Sequence, residues 1–225
     1  MTEPAGSRRP ERWVAAALLA VSAPALAAGA LAVRLSSPGP VIYRASRAGR
    51  DATDFTMYKL RTMHLGEGGP ITGGRDPRIF PAGVWLRRLK VDELPQLWNV
   101  LRGEMKFFGP RPEDPAIVRD HYAPWMHETL TVPPGIVGPG SLGYFLEESE
   151  LAQDPEAAFT QYVDELLPRK LARDLVYLRA PSRRYRLQLL ARTALGVIGR
   201  QSWMSRYESE ERRRADEILR SVASS

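Results

Sequence analysis

Between Arg87 and Pro112 the chain reads RRLKVDELPQLWNVLRGEMKFFGPRP, a spacing of charges suited to work on a phosphate. Asp92 and Glu93 are adjacent, Arg87, Arg88 and Lys90 stand just before them, and Arg111 is locked between Pro110 and Pro112. A carboxylate can bind metal or attack phosphorus, while guanidinium groups hold the non-reacting phosphate oxygens. Successive helical residues point about 100° apart, so the two acids suit different jobs, one toward phosphorus and one toward a metal or a proton. Pro95 is tolerated only in a helical first turn, which puts the acid pair at a helix N-terminus. There the dipole favours a carboxylate and a phosphate alike. Alone, Asp-Glu-Leu-Pro is more often a plain N-cap and Pro-Arg-Pro a polyproline-like corner. Together they are more specific, because two rings pre-set the backbone around Arg111.

The chain that must position these residues has 225 of them, enough for one domain with a real core. Cysteine is absent, which excludes disulfides and thiolate metal sites, and His64, His121 and His127 match no zinc spacing. The net charge is +6, a balance that suits nucleic acid or an anionic membrane face. Arginines 8, 9, 12, 34, 44, 47 and 50 bracket one apolar segment, which favours the membrane. The basic residues lack the aromatic interleaving of a stacking surface, so no nucleic-acid partner is expected.

That segment, Trp13 to Val33, is uncharged, and as one helix its 21 residues reach roughly 31 Å, about the hydrocarbon thickness. A signal peptide fits the arginine-rich start but not the basic, cysteine-free chain that follows. Pro24 sits mid-segment and clashes with the carbonyl of Ala20, so a bend is expected, with Ser22 satisfying a freed carbonyl. Arginines at both ends pull both toward the cytoplasm. From the residues alone, a re-entrant helix over 13–35 and a kinked single span weigh equally.

Residues 1–12 read as disordered, and Val41–Tyr43 and Phe55–Leu60 read as a hairpin across Gly49-Arg50-Asp51. Residues 64–76 are a glycine-rich loop, and Val84–Lys90 and Leu94–Leu101 are short helices. Residues 132–143, VPPGIVGPGSLG, are expected to be a non-helical turn region, and 155–179 a helix. Arg183–Tyr207 mixes leucines with arginines, Arg192 among them, as an interfacial amphipathic helix does, although an ordinary surface helix is an equal alternative. Residues 208–225 read as a solvated charged tail. The fold class is therefore α+β: one helix-rich catalytic domain over 36–207 with a small hairpin and an N-terminal membrane helix.

The ordered set SSPGPVIYRASRAG, FTMYKLRTM, GPITGGRDPRI, WLRRLKVDELPQLWNVLRGEM, GPRP, PPGIVG and LPRKLARDLVYLRAPS resembles the monotopic phosphoglycosyl transferases, bacterial sugar transferases that start lipid-linked glycan assembly. The likeness runs from about Arg12 to about Gly199, and DELPQL followed at a fixed distance by GPRP is its specific part. The resemblance implies a re-entrant hairpin seated on the cytoplasmic face of the bacterial inner membrane, which selects between the two anchor topologies. It also implies a ping-pong transfer of phosphosugar from a UDP-sugar to polyprenol (undecaprenyl) phosphate, with UMP released and Mg2+ as cofactor. By position, Asp92 is then the nucleophile and Glu93 its partner for metal or proton, both being metal-ligand candidates. Arg111, Pro110, Pro112, Arg87, Arg88 and Lys59 are the implied phosphate or nucleotide contacts, and Ser22 and Pro24 the hairpin break.

The chain departs from the family pattern at Ser22-Ala23-Pro24, where the serine and proline are separated, at Glu104–Phe108, and at PPGIVGPGSLGYF, which bears on the sugar pocket. The sugar is left unidentified, and a homodimer stays open. The rival from another class is a non-catalytic membrane adaptor of polysaccharide assembly, which intact Asp92, Glu93 and Arg111 oppose.

Overall fold

The apolar run near the N-terminus forms one helix, against which the hairpin and the two short helices that flank the acid pair are packed. The computed structural model describes residues 8–66, 76–147, 151–152, 154–198 and 205–224. Helix α1 spans Arg8–Ser36, so residues 8–12 are helical rather than disordered, and residues 1–7 lie outside the described residues. It is continuous through Pro24, and the expected break is not seen. Ser22 donates to the carbonyl of Leu19 at 3.3 Å, not to that of Ala20. Its buried and half-buried positions include Ala15, Leu19, Ser22, Leu26, Gly29 and Val33, which alternate in steps of four and three. That is one stripe along a helix, so α1 lies against the domain over its length. The opposite face stays apolar and exposed at Trp13, Val21, Leu31 and Leu35. Pro10–Ser36 is long and apolar enough to cross a membrane, with mean hydropathy 2.1.

Alternation of small and large residues builds the next element. Strands β1 (Ile42–Ala48) and β2 (Asp54–Leu60) pair antiparallel from Ile42↔Leu60 to Ala48↔Asp54, as the hairpin pattern predicts. Ala45 and Met57 face Ala15, Val100 and Met105. Leu60 joins Val33, Phe80 and Leu86, so the two ends of α1 rest on two adjoining cores. Arg61, almost fully buried, clasps the exit of α1: Nε donates to the carbonyl of Pro40 at 2.7 Å, and Nη1 and Nη2 donate to Ser37 at 2.8 Å each. Of the glycine-rich loop expected over 64–76, residues 67–75 lie outside the described residues.

Helix α2 (Pro81–Arg88) starts at a proline, and α3 (Gln96–Arg102) ends at Gly103, whose φ of 81° suits glycine. Strand β3 (Lys106–Phe108) precedes α4 (Pro115–His121) and pairs in parallel with β4 (Gly135–Val137). Residues 132–143 are therefore not a turn region: β4 is followed at once by α5 (Pro139–Glu147). Proline costs nothing at a helix start, and Gly140 and Gly143 leave room for Asp174 and Arg173 against the helix. Tertiary packing overrides low helix propensity there.

Residues 155–179 are helical as expected: α6 (Pro155–Gln161), a π-helical turn Tyr162–Leu166, and α7 (Leu167–Arg179). Leu166, Leu167 and Leu171 pack on Ile117 and Met126. Helix α8 (Arg183–Val197) is followed by α9 (Ser205–Ala223), which replaces the expected solvated tail. Glu208, Glu211 and Ala215 are buried on α9, and Arg192 of α8, assigned to a charged face by sequence, is buried against them. Charge pattern alone gives no sign that these charges pair across two helices.

Packing is close where α2 meets the chain just beyond β2. A Cβ at Gly83 would stand 2.2 Å from the carbonyl oxygen of Thr62. Gly83→Ala is expected to destabilise the domain by about 1–3 kcal/mol, lowering the Tm in detergent by several degrees. Gly66→Ala, with nothing within 4 Å of the added carbon, is the control. Equal Tm values for the two variants would contradict this packing.

Candidate active site

The acid pair sits in a single 3-10 turn, Val91–Glu93, between α2 and α3. Lys90 adopts a left-handed conformation (φ 58°) that turns the chain out of α2, and Pro95 caps α3. The acids thus precede a helix N-terminus, in a turn rather than in the helix itself. Asp92 is buried, and among the described residues its Oδ1 has no hydrogen-bond partner. Glu93 is held on both oxygens. Arg111 donates from Nη2 to Oε1 at 2.9 Å and from Nη1 to Oε2 at 3.3 Å, and Lys90 Nζ stands 3.6 Å from Oε1.

Arg111 is fixed by the backbone around it. Gly135 donates to the carbonyl of Pro110 at 2.7 Å, and Gly109 donates to that of Val137 at 3.1 Å. Gly135 must be glycine here, since a Cβ would fall 2.2 Å from the nitrogen of Gly109. Beyond the buried Pro112, the Glu113 carbonyl accepts from Ala48 at 2.9 Å. The Glu113 carboxylate accepts from the Tyr162 hydroxyl at 2.6 Å and forms a buried ion pair with Lys170. Asn99 ties α3 to the hairpin, donating to the Thr56 carbonyl at 2.7 Å and accepting from the Tyr58 N–H at 3.2 Å. That bond sets the strand carrying Lys59 beside the acid turn.

The charges act on each other. Burial, then repulsion by Glu93, pushes the Asp92 carboxyl up to about 6, against the pull of Lys59, Lys90 and Arg87. Burial also works to raise Glu93, but Arg111, followed by Lys90 and Lys59, outweighs it and holds the carboxyl well below its usual range. Burial, then the Arg111 charge, lowers the Lys59 ammonium to about 7, against Glu93 and Asp92. At neutral pH the turn therefore presents one firmly ionised, fully bonded carboxylate and one largely ionised carboxylate with a free oxygen.

Beside this turn lies a cavity of about 220 Å³. Arg88, Lys90, Glu93 and Arg111 line its charged side, and Leu94, Leu97, Ile136, Val137, Leu142 and Val197 its apolar side. Of the residues singled out by sequence, Glu93, Arg111 and Arg88 line this cavity, Asp92, Lys59 and Arg87 share the electrostatic field of the acid turn without lining it, Pro110 and Pro112 flank Arg111 in the chain, and Ser22 and Pro24 belong to the anchor helix. Both terminal nitrogens of Arg111 donate to Glu93, and Arg111 also lines the cavity. Asn99, Glu113, Tyr162 and Lys170 were missed. Glu113 abuts GPRP and was open to notice, but no local signal links it to Lys170, 57 positions on.

Among the described residues no cluster of three or more acidic, histidine or cysteine side chains could cage a metal. Magnesium does not need one, since it binds through one or two carboxylates and completes its shell with water and substrate phosphate. The unbonded Asp92 Oδ1 fits that habit, whereas both Glu93 oxygens are taken by Arg111. Because the anionic Glu93 opposes ionisation of Asp92, Glu93→Gln should lower the Asp92 pKa below about 6, as read by carboxyl 13C titration. An unmoved titration would mean that the two carboxyls do not share one field.

Residues 6–200 match the family described as bacterial sugar transferase. A UDP-glucose:undecaprenyl-phosphate glucose-1-phosphate transferase of Caulobacter vibrioides is 38% identical over 193 residues, 82% of this chain and 67% of the relative. An undecaprenyl-phosphate glucose phosphotransferase of Komagataeibacter xylinus is 35% identical over 178 residues, 72% of this chain but 30% of the relative. A UDP-N-acetylgalactosamine-undecaprenyl-phosphate N-acetylgalactosaminephosphotransferase of Aeromonas hydrophila is 37% identical over 132 residues, 56% of this chain and 31% of the relative. The chain thus spans two-thirds of the first relative's length and under a third of the other two. With a phosphate-suited site at the heart of the matched region, the chain belongs to the bacterial sugar transferase family.

Proposed function

We propose that the protein transfers a phosphosugar from a UDP-sugar to polyprenol phosphate, of the undecaprenyl type named for its relatives, through a covalent intermediate on Asp92. The observation that carries this is the contrast within one turn: Glu93 has both oxygens bonded, whereas the Asp92 Oδ1 has none. The Asp92 carboxylate attacks the sugar-linked phosphorus, the bond from that phosphorus to the bridging oxygen breaks, and UMP leaves with that oxygen. A phosphate oxygen of the polyprenol phosphate then attacks the same phosphorus and displaces the carboxylate, giving a polyprenol diphosphate sugar. Two steps at one site let a water-soluble donor and a lipid acceptor take turns. Arg111, Lys59 and Arg87 supply the positive field against which phosphate charge is held. Magnesium, held through Asp92, would neutralise diphosphate charge.

The lie of α1 along the domain supports a monotopic seat, and the arginines near both its ends support the cytoplasmic face of the inner membrane. Ala15 and Val33, about 27 Å apart along the helix, are buried on the same domain. A helix crossing the bilayer at right angles would carry one of those ends away from a domain outside it. Near the ends of α1, Arg12 donates to the carbonyl of Arg102 at 3.3 Å and Arg34 to that of Gly39 at 3.5 Å. Exposed Val84, Trp85 and Leu89 near α2, with Leu187 and Leu190 on α8, add apolar surface of the kind interfacial helices bury in lipid.

Incubation with polyprenol phosphate and a panel of UDP-sugars, monitoring UMP, tests the reaction, and a blank panel favours the adaptor. Asp92→Asn is expected to abolish both UMP release and lipid product. The donor half-reaction should rise with pH through about 6 as Asp92 ionises, and a flat acid limb would remove Asp92 from that step. Arg111→Lys keeps charge but loses the planar fork, so kcat/KM should fall at least tenfold, about 1.4 kcal/mol. Near-normal kcat/KM would make Pro-Arg-Pro a structural corner only. Single cysteines placed at each terminus should label from the cytoplasmic side alone, and labelling of the N-terminus from outside would establish a spanning helix.

A further inference from the structure

The Pro-Arg-Pro segment is anchored on its far side by charge, in a place where apolar packing would serve stability as well. Beyond Pro112 the Glu113 side chain is only 10% exposed, and that of Lys170, on α7, 6%. One Glu113 oxygen, Oε2, accepts from both the Lys170 ammonium and the Tyr162 hydroxyl, the latter at 2.6 Å. Lys170 also donates to the Tyr162 oxygen at 3.0 Å, so each of the three groups bonds the other two. The other carboxylate oxygen, Oε1, accepts from the Asp114 N–H at 3.3 Å. Burial works to raise the Glu113 carboxyl, but the Lys170 charge, then the bonds from Lys170 and Tyr162 and the Arg47 charge, hold it below its usual range.

The helix is distorted to make this contact. Tyr162 opens the π-helical turn Tyr162–Leu166, and Lys170 follows eight residues later on α7. On an unbroken α-helix, side chains eight residues apart lie about 80° apart around the axis. One extra residue taken up in a π turn cancels roughly one 100° step and brings them to within about 20°. Both therefore reach the same carboxylate oxygen.

What this lock holds in place is the chain on one side of Arg111. Pro112 fixes its own φ, so little freedom separates Glu113 from Arg111 and a displacement of one passes to the other. On the other side, β4 holds Gly109 and Pro110 through their backbone bonds. Between these two clamps the Arg111 fork meets Glu93 at 2.9 and 3.3 Å. Glu113, Tyr162 and Lys170 are not among the residues that line the cavity beside the acid turn.

We propose that Glu113, locked by Tyr162 and Lys170, is a positioning residue for Arg111, and that this lock sets the rate of the donor step. The proposal rests on the phosphosugar-transfer reading and adds to it a control point outside the site. Loss of the lock lets the fork shift, and the field at phosphorus weakens with it.

The test is a mutant cycle on the full chain in detergent, read as the single-turnover rate of UMP release from saturating UDP-sugar alone. Lys170→Met, which strands the buried carboxylate, should slow this rate about tenfold, and Tyr162→Phe, which removes one bond, about threefold. In an Arg111→Lys background, where the fork is already lost, each should slow it by less than about twofold. A role in stability alone would give the same loss in both backgrounds. Tyr162→Phe keeps the ring and its packing, and decides the matter if Lys170→Met does not fold. Unchanged rates in both variants, or losses that recur in full in the Arg111→Lys background, overturn the proposal and leave Glu113 a structural ion pair. A wild type that yields no UMP from any UDP-sugar removes the functional reading instead, and this inference with it.

Discussion

The paired hydrogen bonds between Arg111 and Glu93 are the interaction on which the site depends. They join the acid turn to the Pro-Arg-Pro segment across 18 positions of sequence, in a setting where removing either partner would strand the other's charge. Because Glu93 spends both oxygens on this contact, its neighbour is left with an oxygen to use. Two adjacent carboxyls would otherwise compete for the same cations and titrate together. Here they are driven apart, Glu93 down and Asp92 up to about 6. Separating the pKa values of two like groups is how a site divides labour between them.

The division has a cost that differs in sign for the two acids. Glu93 is lowered in the folded state, so its contribution to stability is present above the ordinary carboxylate range and is lost as pH falls through its depressed value. Asp92 is raised, so the fold gains from it at low pH and loses that gain as pH rises through about 6. The fold absorbs this by tying the turn in from every side: Asn99 to the hairpin, Glu113 to Tyr162 and Lys170, and the Pro110 carbonyl to β4. The anchor helix is part of the same body, since its inward stripe packs on the cores that carry Met57, Leu60 and Val100.

Much of this was legible from local pattern. The hairpin, the long apolar helix and the meeting of Asp92, Glu93, Arg111 and Lys59 follow from alternation, proline placement and charge spacing. What failed was long-range. Helix α5 forms in a glycine- and proline-rich stretch because α7 packs against it, which no window of residues 132–143 can show. The Arg192–Glu208–Glu211 network looked like two solvated faces because burial turns charge from a surface signal into a core one. Pro24 signalled a break, yet α1 continues through it, docked along its length by a stripe of small and apolar residues whose partners lie tens of positions away.

The central claim is that Asp92 becomes covalently bonded to phosphorus. Intact mass measurement after incubation with a UDP-sugar and no lipid acceptor, followed by peptide mapping, tests it most directly. The account predicts a mass increase of one phosphosugar, located on the peptide containing Asp92 and absent from Asp92→Asn. An unmodified wild type, with UMP appearing only when both substrates are bound, would contradict it and make Asp92 a metal ligand in a direct transfer.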